Sequence, residues 1–389
     1  MNGSFLLPAA CAALMACAWA AATAAPQAAP RKADVFVSGT DGYHTYRIPS
    51  VMATKGGALL AFCEGRKAGR GDSGNIDLLM KRSEDGGATW SARQVVWDDG
   101  ANTCGNPCPV LDEQTGAIWL LLTWNHGSDH EAAIVARKSK DTRRVFVTHS
   151  DDDGRTWAKP AEITAHAKQP EWTWYATGPG VGIQLRHGRH KGRLVIPCDH
   201  KTGGDRVTYH SHVIYSDDHG RTWRLGGATA DGVNECQVIE RDAPAAGQLL
   251  LNMRRARNVQ APYRFIATSD DAGQTWSKPA PDEALVGPRC QGCLVRCSWG
   301  AGGGQSRLLF SNPASRTARV AMTVRLSRDE GRTWPVAKVL HAGPAAYSCL
   351  VVVPGGDAGC LYEAGEKHPY EKIVFARFAL AWLEGRKGD

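Results

Sequence analysis

The sequence predicts an all-β protein assembled from repeated four-stranded units, and three observations lead there. One octet pattern, S-x-D-x-G-x-T-W, occurs five times: SEDGGATW at 83–90, SDDDGRTW at 150–157, SDDHGRTW at 216–223, SDDAGQTW at 269–276 and SRDEGRTW at 327–334. The copies start 67, 66, 53 and 58 residues apart, a spacing that marks a repeat architecture. Around them the chain runs in short apolar, β-rich segments such as RVFVTHS, HVIYS, FIATS and TVRLS, with turns rich in Gly, Pro and Asp and no long stretch of helical period. Units of about four strands over roughly 350 residues leave room for about six, so the expected fold is a six-bladed β-propeller with the octets as hairpin turns.

Each octet has a local reason to turn. Its Ser and Asp oxygens accept hydrogen bonds from nearby backbone N–H groups, Gly supplies a positive φ, and Thr-Trp starts the next strand with an indole that packs between sheets. A Ca²⁺ loop is excluded, because that motif needs acids at alternating positions, a Glu at the twelfth and flanking helices. The octets therefore read as scaffold.

In chain order, residues 1–24 form an uncharged, Ala-rich stretch ending Ala22-Thr23-Ala24 before Ala25-Pro26, the pattern of a cleaved export signal. A membrane anchor is the alternative, but the run is marginal in length. Leu14-Met15-Ala16-Cys17 also permits lipid attachment through Cys17. Residues 25–33 read as a linker and 34–389 as one propeller domain, whose last segment, KIVFARFALAWL at 372–383, is expected to lie as a strand beside residues 34–38. No later segment is long and apolar enough to span a bilayer. Ten of the 12 Cys lie beyond residue 24, and the lone Cys290-Gln291-Gly292-Cys293 lacks a second pair at zinc spacing, so no metal or other cofactor is expected. The net charge of +7 favours anionic partners, but no Lys/Arg stripe marks nucleic acid.

A propeller alone says little about function, so charged residues that the strand pattern does not need become informative. They are Arg47 in Tyr46-Arg47-Ile48-Pro49, Glu64-Gly65-Arg66, Asp72 in a Gly-rich loop, Asn234-Glu235-Cys236, Leu251-Asn252-Met253-Arg254, Arg319, Tyr347-Ser348 and Tyr362-Glu363. In this order, with the five octets (Asp boxes), they resemble the exo-α-sialidases from about Tyr43 to Phe375.

The resemblance implies hydrolysis of terminal α-linked sialic acids on glycoproteins, glycolipids or oligosaccharides. It places Arg47, Arg254 and Arg319 on the substrate carboxylate, a role suited to permanently charged, bidentate guanidinium groups. Arg316 is the alternative third member. An anionic anomeric centre disfavours a carboxylate nucleophile, and sialidases with a Tyr nucleophile are a known exception among glycosidases. The resemblance makes Tyr347 that nucleophile and Glu235 its base. Asp72 becomes the general acid, with a pKa expected nearer neutral than that of free Asp. Asp77 is the rival acid, but it opens a strand-like run. Glu363 is implied to orient Arg47, and Arg66 to contact ring hydroxyls. Asn106, Trp124, Asp199, Gln291 and the cluster at 172–175 are candidate pocket walls. Cys63, Cys236 and Cys349 adjoin these motifs without a partner His and read as packing residues. The alternatives are a trans-sialidase and a non-catalytic glycan-binding propeller.

Overall fold

Strands pair almost entirely with their neighbours in sequence, which is what short turns between apolar segments dictate. In the computed structural model, residues 1, 3, 28–204, 206–300 and 304–385 are described. The expected export signal, the Cys17 site and the start of the linker lie outside them.

Thr45–Ala53, Leu59–Arg66, Ile76–Ser83 and Gln94–Trp97 pair in that order, all antiparallel. Thr103–Leu111, Ile118–Asn125, Arg144–Ser150 and Ala161–Glu162 repeat the pattern. Trp172–Thr177, Leu194–Thr202, Tyr209–Ser216 and Arg224–Ala228 do so again, followed by Val233–Glu240, Leu249–Arg255, Tyr263–Ser269 and Ala280–Val286. Cys293–Ser298, Arg307–Pro313, Val320–Ser327 and the first half of the long strand Val336–Val352 pair in that order. The second half of that strand leads into Ala358–Ala364, Lys372–Phe378 and, from the start of the chain, Arg31–Val37. Continuous hydrogen bonding gathers these groups into four sheets, because the long strand serves two groups and Ile76 bridges to Thr103.

The first and last strands do pair, with two corrections of extent. The first begins at Arg31, inside the expected linker. The last strand stops at Phe378, and Leu380–Glu384 forms a short helix instead. That helix is pinned from outside: Glu384 pairs with Arg307 at 3.2 Å and Arg328 at 2.9 Å, and Lys338 donates to the Trp382 carbonyl.

All five octets fold identically between the third and fourth strands of a group. In SDDDGRTW, Ser150 Oγ donates to Asp152 Oδ1 at 2.7 Å and accepts from Gly154 N at 2.9 Å, while Asp152 accepts from Thr156 N at 2.8 Å and Thr156 Oγ1 at 2.5 Å. The same four bonds recur at Ser83, Ser216, Ser269 and Ser327. Two consecutive residues take positive φ, for example His219 at 61° and Gly220 at 86°. The glycine is also a packing requirement, since a Cβ on Gly220 would lie 2.0 Å from Trp119 and one on Gly154 2.4 Å from Leu60. The octet Trp stands just ahead of the fourth strand rather than opening it, and its indole packs on the preceding group: Trp157 on Phe62, Trp90 on Phe375 and Trp223 on Trp119. The core lies between successive groups, where Leu59, Leu121, Leu194, Leu249 and Leu308 are fully buried.

Candidate active site

The leading strand of five of the six groups breaks register at its entering end. The breaks fall between Arg47 and Ser50, Gly105 and Cys108, Trp172 and Tyr175, Val233 and Cys236, and Ala345 and Ser348. A bulge re-aims side chains out of the alternating pattern. Here the bulged segments carry Arg47, Asn106, Trp174, Glu235 and Tyr347, and all five line one cavity of about 310 Å³. Ile48 and Asn106 in these segments hold φ of 59° and 55°. For a β-branched Ile that conformation is strained, and such strain concentrates at functional sites.

Three guanidinium groups meet around one phenol. Arg254 Nη1 donates to Tyr347 Oη at 2.9 Å, and the Cζ atoms of Arg47 and Arg319 lie 5.1 and 5.5 Å from the centre of the Tyr347 ring. Arg319, not Arg316, joins this group; Arg316 is exposed and donates to Tyr263 Oη at 3.3 Å. The Tyr347 hydroxyl donates to Glu235, which also accepts from Arg254 at 2.6 Å. Behind them, fully buried Glu363 accepts from Arg47 Nε at 2.7 Å, Ile48 N at 2.9 Å and Tyr347 N at 3.0 Å. One carboxylate thereby fixes both Arg47 and the backbone of Tyr347. Tyr370 covers Arg47 with its ring at 3.8 Å and accepts a hydrogen bond from Arg319.

Burial drives the Tyr347 phenol well above its ordinary pKa, and the Glu235 charge adds to this against Arg254 and Arg319. Burial also pushes Glu235 up, but Arg254 and the Tyr347 hydrogen bond outweigh it, so Glu235 stays below its usual value. The resting pair is thus a neutral phenol on a carboxylate, the state a base needs in order to take the phenolic proton.

On another wall, Asp72 lies 2.8 Å from Arg66 Nη2 and 4.0 Å from Arg47 Nη1, with its side chain 59% exposed. Glu64 holds Arg66 at 2.6 Å and accepts from Asn106 N at 2.9 Å. Gly105 makes room for this, since a Cβ there would stand 2.3 Å from Glu64 Oε1. The expected near-neutral pKa of Asp72 is not found. Desolvation raises it, but Arg66 and Arg47 take it below the ordinary carboxylate value. Asp77 is not among the residues lining the cavity and is held by Tyr43 Oη at 2.5 Å and Lys67 at 3.0 Å.

Asp199 lines the cavity and accepts from Asn234 at 2.6 Å, and burial pushes its carboxyl well up. Gln291 is a correction. It is 1% exposed and does not line the cavity; its amide bonds Pro179 O, Ser348 O and Ser348 N at 3.0–3.1 Å, fixing the strand that carries Tyr347. Trp124 is also outside the lining and donates to Asp99. Trp174 is the wall residue of the 172–175 cluster, while Trp172 stacks on His200. Cys63, Cys236 and Cys349 are buried, as packing residues would be.

Sequence reasoning missed Arg143, Lys201, Tyr209 and Tyr370 as lining residues. Arg143 is buried against Trp174 at 3.9 Å and donates to Asn106, and burial pulls it down to about 10. Its local sequence, Thr142-Arg143-Arg144 at the mouth of a strand, resembles a surface loop, so no signal set it apart.

The cavity thus brings together a cluster of arginines, a phenol resting on a carboxylate and a second, separate carboxylate, an arrangement able to hold an anion beside a nucleophile and an acid. The BNR repeat-like domain model matches residues 57–360. The chain is 34% identical to an exo-alpha-sialidase of Aspergillus fumigatus, covering 88% of this chain and 86% of that one. It is 36% identical to a sialidase of Micromonospora viridifaciens over 90% of this chain, and spans 54% of that relative's length. The solved structure of the Hadza microbial sialidase Hz136 superposes with a TM-score of 0.80 at 31% identity, covering 90% of this chain and 69% of that one. The chain belongs to the sialidase family of glycoside hydrolases. Two intramolecular trans-sialidases, from a leech and from Ruminococcus gnavus, share the fold at TM-scores of 0.78 and 0.75 and 17% and 19% identity.

Proposed function

We propose that this chain is an exo-α-sialidase that removes terminal α-linked sialic acids from glycoconjugates with net retention, through a covalent Tyr347 adduct. One observation carries the reading: Arg47, Arg254 and Arg319 surround the ring of Tyr347, whose hydroxyl already rests on Glu235. A sugar acid gripped by the three arginines has its anomeric carbon beside that hydroxyl.

In the first displacement, Tyr347 Oη bonds to the anomeric carbon as Glu235 takes the phenolic proton. The glycosidic bond breaks, and Asp72 protonates the departing oxygen. In the second, water attacks the same carbon, Asp72 takes its proton, the Tyr–carbon bond breaks and Glu235 returns a proton to the phenol. The substrate carboxylate is what readies Asp72. It offsets the charges of Arg47 and its neighbours, which otherwise hold the acid ionised.

The six four-stranded groups, from Arg31 to Phe378, support a six-bladed ring. Five leading strands deliver residues to one cavity, and the first strand completes the last group. Export directed by residues 1–24 belongs to the same proposal. Tyr347→Phe and Asp72→Ala should each lower turnover of an aryl sialoside at least about 100-fold with folding unchanged. Near-native rates in both variants refute the mechanism.

A further inference from the structure

A second cavity of about 600 Å³ adjoins the first and shares with it Asp72, Glu131, Lys201, Tyr209 and Arg257. On the function proposed above, Asp72 protonates the leaving oxygen, so the leaving sugar must lie on the Asp72 side. The second cavity is the space available there.

Its charge is uneven. Asp72 is matched by Arg66, and Glu131 is matched by Lys201. Arg257, by contrast, is exposed, and among the described residues it makes no ion pair or hydrogen bond. Arg255 and Arg289 stand with it on the rim of the first cavity, and again no carboxylate among the described residues pairs with either. Arg255 donates only to the Val259 carbonyl at 2.6 Å. All three line that one cavity, and burial, then Arg254, Arg257, Arg255 and Arg319, lower the pKa of Arg289. Like charges lining one cavity, without a carboxylate partner among the described residues, favour an anion that bridges them. The three primary arginines are committed to the first acid group, so this anion is a second one.

We propose that Arg257, supported by Arg255 and Arg289, forms a leaving-group subsite for a second anionic group on the sugar next to the terminal residue. The shared chemistry is a carboxylate or a sulfate ester. The first comes from an internal sialic acid, the second from a sulfated hexose. Either would be held by charge-assisted hydrogen bonds from guanidinium.

The test compares kcat/KM on three substrates: an α2,8-linked disialoside, a sialyl sulfo-galactoside and a neutral sialyl-galactoside, with an aryl sialoside as internal standard. In the wild-type enzyme, rates on the anionic substrates relative to the neutral one should fall as NaCl rises from 20 to 300 mM, because a partly exposed pair is screened. In Arg257→Gln the same ratio at low salt should drop about three- to tenfold, and in Arg257→Lys by less, in line with one partly exposed charge pair. The arm that loses preference identifies the carboxylate or the sulfate as the natural group. Equal ratios in wild type and Arg257→Gln, with no salt dependence, overturn the subsite. No activity on any of the substrates by the wild-type enzyme would instead defeat the proposed function, a separate outcome.

Discussion

Glu363 is the residue whose change tests both the architecture and the grip. It is fully buried and joins two strands distant in sequence, through Arg47 Nε at 2.7 Å, Arg47 Nη2 at 3.4 Å, Ile48 N at 2.9 Å and Tyr347 N at 3.0 Å. Glu363→Gln keeps the volume but removes the charge, leaving Arg47, itself 5% exposed, without its nearest counter-ion. It also turns one acceptor into a donor facing a backbone N–H or the guanidinium. Breaking one side of a buried pair costs about 3–5 kcal/mol, most of it from the stranded charge. Chemical denaturation should therefore show the variant destabilised by about 3 kcal/mol or more. On the proposed function a sialic-acid analogue brings a carboxylate back to Arg47, so saturating analogue should raise the melting temperature of Glu363→Gln more than that of wild type. Stability within about 1 kcal/mol of wild type, or equal ligand-induced shifts, refutes the view that Arg47 depends on Glu363 for its charge balance.

Gly220→Ala should cost about 2–4 kcal/mol by denaturant titration, because φ is 86° and the new methyl would meet Trp119 at 2.0 Å. Gly39→Ala, at a similar φ of 84° with open space around it, should cost only about 1 kcal/mol. In the octet at 83–90, hydrogen bonds from the Thr89 side chain and backbone hold the Asp85 carboxyl down to about 2. Its folded pKa is below the unfolded value of about 3.9, so its contribution is present above pH 4 and is lost as pH falls through 2. The stability gap between wild type and Asp85→Asn should therefore be full at pH 6 and close towards pH 2.

The octets made the repeat legible because each is a local device: its bonds run between residues at most four apart, so sequence alone can specify them. The arginines and the phenol were legible only through resemblance, since nothing in the spacing of Arg47, Arg254 and Arg319 reports that three separate groups aim them at one point. The bulges that do the aiming have no signature beyond an interrupted alternation. Gln291 misled because it sits between Cys290 and Gly292 next to a strand start, where a wall residue and a backbone brace look the same. Residues 379–383 misled for another reason. Their apolar run continues the strand pattern, whereas tertiary bonds from Arg307, Arg328 and Lys338 hold a helical turn there.

In the proposed mechanism Asp72 poses the sharpest question, because a general acid must hold a proton that its arginine neighbours tend to strip away. Arg66 at 2.8 Å and Arg47 at 4.0 Å supply the stripping charge. On the proposed reading, a substrate carboxylate seated on Arg47, Arg254 and Arg319 reverses it. Two carboxylates about 6 Å apart in an effective dielectric constant near 20 repel by at most roughly 3 kcal/mol, less where solvent screens them, and this repulsion favours the protonated acid. Covering the half-exposed side chain adds desolvation in the same direction. Binding must then take up a proton when the pH lies above the free-state pKa and below that of the complex. Titration calorimetry of an anionic analogue at pH 5–6, repeated in buffers of different ionisation enthalpy, should show uptake of a fraction of a proton up to one per site. Asp72→Asn should abolish it without abolishing binding, since the three arginines remain. The same logic separates the rate profiles: kcat/KM, which reports the free enzyme, should fall with rising pH from a lower point than kcat, which reports the complex. Zero proton uptake in the wild type, or coincident profiles, would mean that the arginine cluster does not control the acid.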